Sequence, residues 1–198
     1  MSDDTFALTH PVVGRDGGDK LDFYPTPRAC TEALIAHLAQ SRPGWRDEPP
    51  EVLDPAAGEG AILDVWRERR CPTLGLEIDP VRAETARRRG HLMSVGDALE
   101  RPWPRADLLA MNPPYSLAET FVRRALAWRF RTPGAALACA LLRLSFLEPA
   151  KGRRDLLVQG PDVLILPRRP AFDGRGTDSI TSAWFCWPGQ GRLVWLPA

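Results

Sequence analysis

The chain has three histidines, four cysteines and a formal net charge of only +1, and it has no long apolar run. Each shortage excludes something. His10, His37 and His91 form no pattern, so they are assigned surface or packing roles and the chemistry is sought elsewhere. Cys30, Cys71, Cys139 and Cys186 lie far apart in sequence without paired ligand spacing, which argues against a zinc site and against a disulfide framework. No metal is expected, and reduced thiols fit a cytoplasmic protein. The longest apolar stretch, Ala135 to Leu142, is too short to span a bilayer, and the acidic N-terminus lacks a charged-then-apolar signal pattern. A soluble chain with no membrane partner follows. Near-neutral net charge excludes a strong overall field, and there is no internal repeat or low-complexity tract.

What is present suits one domain. With 198 residues, 44% hydrophobic and 26% charged, the chain can bury a sizeable core but leaves little room for a second domain. Residues 1–22, with Gly14, Gly17 and Gly18 among Asp and Arg, read as a flexible arm, and 23–198 as a single domain. The charge is unevenly spread: from Glu119 to Gly176 there are eleven Lys and Arg against five Asp and Glu, a distribution suited to meeting phosphates.

Seven short apolar runs predict strands: Val52 to Asp54, Thr73 to Ile78, His91 to Val95, Asp107 to Met111, Ala135 to Arg143, Asp162 to Leu166 and Ala183 to Trp187. Helix-like stretches separate them. Thr26 before Pro27 predicts a cap for a helix over 27–40, Asp79 before Pro80 predicts another that Gly90 ends, and Ser116 with Glu119 has capping-box spacing. The expected fold is α/β, with a seven-stranded, mostly parallel sheet and helices on both faces.

Two strand ends carry the candidate chemistry. Asp54-Pro55-Ala56-Ala57-Gly58-Glu59-Gly60 follows the first strand, where glycines let the backbone approach a ligand, although an ordinary strand-to-helix turn accepts the same residues. No Lys with Ser or Thr follows, so a P-loop is excluded. Glu77 ends the second strand, seventeen positions beyond Gly60, where a carboxylate can accept hydrogen bonds from both ribose hydroxyls. Asp79 reads more simply as a helix cap. Asp97, after Gly96, is placed either to accept from an adenine amino group or to close a turn.

Asn112-Pro113-Pro114-Tyr115 follows the fourth strand. The prolines stiffen the backbone, so the Asn112 side chain and the Pro113 carbonyl form a rigid pair of acceptors. An exocyclic amine on a nucleobase is a poor nucleophile because its lone pair is delocalised into the ring. Two acceptors on its hydrogens turn that lone pair outward and stabilise the positive charge that develops on nitrogen. Tyr115 offers an aromatic face for an extruded base.

These residues resemble the class I S-adenosylmethionine-dependent amino-methyltransferases that modify N6 of adenine in DNA. The matching pieces are Phe23-Tyr24-Pro25-Thr26-Pro27, Asp54 to Gly60, Leu76 to Pro80, Gly96-Asp97 and Asn112 to Tyr115, in the order found in enzymes with an N-terminal cofactor half. The resemblance implies a Rossmann-like methyltransferase fold and S-adenosylmethionine as cofactor. Tyr24, Thr26 and the turn with Asp54, Pro55, Ala56, Gly58 and Gly60 would contact its methionine part, Glu77 with Ile78 its ribose, and Asp97 its adenine. Asn112, Pro113, Pro114 and Tyr115 would serve the target base.

Beyond Tyr115 the likeness is architectural. The loop over 167–181 resembles the family's target-facing loop, with Phe172 as a second stacking ring and Arg168, Arg169 and Arg175, along with Lys151, Arg153 and Arg154, as phosphate contacts or a solvated basic face. With no separate target-recognition domain, specificity is expected to be short, relaxed, or supplied by a partner or a second copy. Competing readings are the same chemistry on adenine in RNA, on cytosine N4 in DNA or on a protein glutamine, and a non-catalytic cofactor- or nucleic-acid-binding subunit. Asp54-Pro55 speaks against the protein-directed enzymes, and cytosine-directed enzymes more often carry Ser in place of Asn112.

Overall fold

A computed structural model describes residues 22–132, 136–148, 153–170 and 181–197. The arm expected over 1–22, apart from Asp22, lies outside the described residues, as do Lys151, Phe172, Arg175 and most of the loop over 167–181.

The short apolar runs do form strands: β1 (Val52–Asp54), β2 (Thr73–Glu77), β3 (Leu92–Val95), β4 (Leu108–Met111), β5 (Leu137–Arg143), β6 (Asp162–Ile165) and β7 (Ser182–Trp187). An eighth, β8 (Leu193–Trp195), corrects the expected count of seven. The order in the sheet is β3-β2-β1-β4-β5-β7-β6-β8, and only β7 runs against its neighbours. Asp162 holds β8 in place. Its carboxylate accepts from the backbone N–H groups of Gln190 and Arg192 and pairs with the Arg192 guanidinium at 2.6 Å.

Among the described residues the sheet is accompanied by five α-helices: α1 (Arg28–Ser41), α2 (Ala61–Arg67), α3 (Pro80–Arg88), α4 (Ala118–Arg131) and α5 (Arg154–Leu157). The two-residue period of β5 divides its side chains between the faces. Leu137, Cys139 and Leu141 join a cluster with Leu34 of α1 and Leu63 of α2, while Ala138, Ala140 and Leu142 join Val122 and Leu126 of α4. Both faces are therefore covered, as a parallel sheet requires. Trp184, fully buried in β7, donates its indole N–H to the Cys30 carbonyl at 2.8 Å and so fastens α1 across the sheet. Cys139 and Cys186, distant in sequence, meet across β5 and β7 with sulfurs 3.0 Å apart. Among the described residues, no helix is long and apolar enough to cross a membrane.

Local helix signals fared unevenly. Asp79 caps α3, accepting from the N–H of Val81 at 2.8 Å. Thr26 does not cap α1, because Pro27 occupies the N-cap position and the Thr26 side chain is buried. The capping box of Ser116 and Glu119 does not form. A 3₁₀ turn over Tyr115–Leu117 delays α4 to Ala118, the Ser116 N–H goes to the Asp22 carboxylate, and Glu119 pairs with Arg123. His91 lies just before β3 and is buried, between Thr73 Oγ1 at 2.8 Å and Asp64 Oδ1 at 2.9 Å, which is a packing role.

Candidate active site

Strand order places the site. The chain lays β2 on one side of β1 and β4 on the other, and the loops leaving β1 and β4 splay apart at the carboxyl edge. A crevice opens where the order reverses. It is lined by Tyr24, Thr26, Asp54, Pro55, Ala56, Glu77, Ile78, Asp97, Asn112, Pro113, Pro114 and Tyr115, so twelve sequence-selected residues share one cleft. Arg168 and Arg169 do not line it. They are exposed just beyond the carboxyl end of β6, on the same edge of the sheet.

The turn after β1 is built around two glycines and two acids. Gly58 has φ 54° and Gly60 φ 91°, conformations that a side chain resists, and a Cβ at Gly58 would run into the Phe23 ring. Glu77, 7% exposed, uses one carboxylate oxygen to accept the Gly58 N–H at 2.7 Å and the other to accept the Asp79 N–H at 2.9 Å. It thereby braces the glycine turn against the start of α3. A carboxylate has about four lone-pair sites, so acceptor capacity remains for a donor in the cleft. Asp54 Oδ1 accepts the Ala56 N–H at 3.0 Å, and Asp97 Oδ1 accepts the Leu99 N–H at 2.7 Å. Asp97 thus closes a turn and lines the cleft at once.

Burial raises the Asp54 carboxyl to about 8, with the nearby Glu77 charge adding to the rise against the Ala56 N–H. Burial also raises Glu77. An acid raised in the folded state contributes stability that is fully present below its unfolded value, near 4, and is lost as pH climbs through about 8. The ligand-free protein should therefore lose stability between about pH 4 and about pH 8. Asp54→Asn, which keeps the acceptor for Ala56, should remove most of that loss in urea melts. An equally steep fall in the variant would clear Asp54 of responsibility.

The other wall carries the chain's two tyrosines. Asn112 Nδ2 donates to the Tyr24 carbonyl at 3.3 Å, which fixes the amide and leaves Oδ1 as its acceptor. The Tyr115 ring lies 5.7 Å from that of Tyr24 at a 33° tilt, and the Arg143 guanidinium sits 4.0 Å from the Tyr115 centroid. A base stacked on Tyr115 must share the ring's faces with these neighbours.

Some lining residues carried no usable signal in sequence. Arg82 sits among the arginines of α3, yet it is 7% exposed, lies 4.0 Å over the Phe23 ring and reaches the cleft. Phe121, from the buried face of α4, lines the cleft as well.

Comparison with known proteins agrees with this architecture. No family model matches the chain. It is 33% identical over 82 residues to a Pyrobaculum islandicum protein named probable ribosomal RNA small subunit methyltransferase A, a match covering 40% of this chain and 35% of that protein. The chain thus spans about a third of that relative's length. Among solved structures it resembles the modification subunit of a proposed type I restriction enzyme from Vibrio vulnificus, with TM-score 0.64 and 15% identity over 91% of this chain and 46% of that one. A proposed RNA methyltransferase from Pyrococcus horikoshii gives 0.59 and 21%, over 84% and 87%. A Listeria monocytogenes protein proposed to be a class I S-adenosylmethionine-dependent methyltransferase gives 0.64 and 11%, over 92% and 68%. That fold implies S-adenosylmethionine as the cofactor, and a buried carboxylate beside a glycine turn in the cleft is compatible with it. The chain has the class I S-adenosylmethionine-dependent methyltransferase fold, with its cleft at the switch point between β1 and β4.

Proposed function

We propose that the protein methylates the exocyclic N6 amino group of adenine in DNA, using S-adenosylmethionine. The observation that carries this reading is the position of Asn112: its amide is anchored to Tyr24 and lines the same cleft as the Glu77-braced glycine turn. When bound, S-adenosylmethionine supplies a methyl group on a positively charged sulfur, which an amine can attack. Glu77 would hold its ribose, Asp97 its adenine, and Tyr24, Thr26 and the turn after β1 its methionine part.

Asn112 Oδ1 and the Pro113 carbonyl would each accept one hydrogen of the target amine. This takes the nitrogen lone pair out of conjugation with the ring and stabilises positive charge as the N–C bond forms. The amine loses its extra proton to water after transfer, so no side chain has to act as a base beforehand. Tyr115 would carry the extruded base. Arg168 and Arg169 would contribute phosphate contacts, which give affinity rather than sequence. In this reading a single domain from residue 23 onward performs the chemistry, with specificity completed by a second copy or a partner subunit.

A second reading, adenine in RNA, is favoured by the 82-residue match to a protein named as a ribosomal RNA methyltransferase. The test is expression in a host without its own adenine methylation, followed by mass spectrometry of nucleosides from each pool. N6-methyladenine should appear in DNA. Its appearance in RNA alone would move the substrate to RNA, and its absence from both would overturn the reading.

A further inference from the structure

Arg143 ends β5 at the carboxyl edge, on the strand beside the one that leads into Asn112 and Tyr115. Some arginines meet acids, among them Arg28 with Glu32, Arg89 with Asp64, Arg123 with Asp155 and Arg192 with Asp162, and others do not. Among the described residues, Arg143 forms no ion pair. Its guanidinium carbon lies 4.0 Å from the Tyr115 ring centroid, and its Nε is buried without a hydrogen-bond partner.

A buried donor without an acceptor is costly, and a ring face compensates a permanent cation only in part. The cation is thus held with one donor, Nε, unsatisfied beside the ring proposed to carry the target base. Its planar fork matches a phosphate oxygen pair. It also springs from a central strand, so it is positioned more firmly than the arginines of a loop.

We propose that Arg143 holds the phosphodiester adjacent to the base presented to Asn112. This rests on the nucleobase reading of the site and adds to it the residue that positions the backbone of the extruded nucleotide. A cation that merely packed on Tyr115 would leave nucleic-acid binding unchanged in its salt dependence.

The experiment measures binding without turnover. Fluorescent single-stranded adenine-containing oligomers of about 12 nucleotides, one DNA and one RNA, are titrated with the full chain over a range of salt concentrations. Loss of one phosphate contact should make the plot of log affinity against log salt shallower by about 0.7. Arg143→Gln and Arg143→Met should both show this change, with binding weakened about tenfold at low salt, while Arg143→Lys keeps the wild-type slope. Met retains an apolar stem against Tyr115, so either neutral variant carries the comparison if the other fails to fold. Cofactor affinity by calorimetry should stay unchanged in all three.

The oligomer whose slope changes identifies DNA or RNA as the source of the phosphate. An unchanged slope in the neutral variants, a Lys variant that behaves like them, or no binding of either oligomer to the wild-type protein would overturn the proposal. Because no methyl transfer is read, failure of the proposed reaction would show separately, as unmodified nucleosides.

Discussion

Asn112→Ala should slow methyl transfer by about a thousandfold while leaving cofactor affinity within about twofold. The asymmetry follows from when the interaction matters. Asn112 Oδ1 is proposed to meet the target amine, whose nitrogen gains positive charge only as the new bond forms, so the acceptor stabilises the transition state more than either bound ligand. Removing one such preorganised group typically costs about 3 to 4 kcal/mol of barrier. The Nδ2 contact to the Tyr24 carbonyl at 3.3 Å is lost too, but that long bond to backbone lies within the wall that carries both tyrosines, apart from the Glu77-braced turn. Asn112→Ser, which keeps an acceptor oxygen on a shorter stem, should fall between wild type and Ala. Single-turnover rates of labelled methyl transfer, read beside calorimetric cofactor affinity, separate the two effects. Equal rates in wild type and the Ala variant would sink the mechanism, whereas a parallel loss of cofactor affinity would reassign Asn112 to the cofactor side.

What sequence reading reached and what it missed divide along a physical line. That the turn after β1 and the Asn112 to Tyr115 string meet in one cleft was legible, because each is a contiguous string set directly after a strand. The topology then placed the two loops on neighbouring strands. β8 was not legible: it has three residues, two of them exposed, and it depends on Asp162 about thirty positions earlier. Arg82 hid for a similar reason, since α3 reads as a basic, solvated helix until Phe23 arrives from the N-terminal segment to cover it. Thr26 was selected for two roles, cap and cleft, and the structure places it only in the cleft. Arg143 entered the sequence reading only as the last residue of a strand, because its lack of a carboxylate partner is a property of the packed neighbourhood. Signals carried within a few residues survive in the sequence, whereas those made by distant segments meeting do not.

Glu77 joins those two kinds of signal and yields the second large prediction. Its position at the end of β2 suggested a ribose contact, and the folded chain adds a bracing role through the N–H groups of Gly58 and Asp79. Glu77→Ala should therefore weaken cofactor affinity by about a hundredfold. Two hydrogen bonds to a charged acceptor contribute about 1.5 kcal/mol or more each, and about 3 kcal/mol corresponds to that factor. It should also lower the stability of the ligand-free protein by about 1 to 3 kcal/mol, because the buried Gly58 N–H and the part-buried Asp79 N–H lose their acceptor. Glu77→Gln discriminates between the roles. Its amide presents one oxygen and one NH₂, so it can accept from only one of the two backbone donors and turns a donor toward the other. If bracing dominates, Gln should bind the cofactor nearly as poorly as Ala, and both should melt early. If direct contact dominates, Gln should keep near-native stability and recover part of the affinity through its remaining oxygen. Calorimetric titration with S-adenosylmethionine and urea melts of the same samples read the two quantities independently, and unchanged affinity in Glu77→Ala would remove Glu77 from the site.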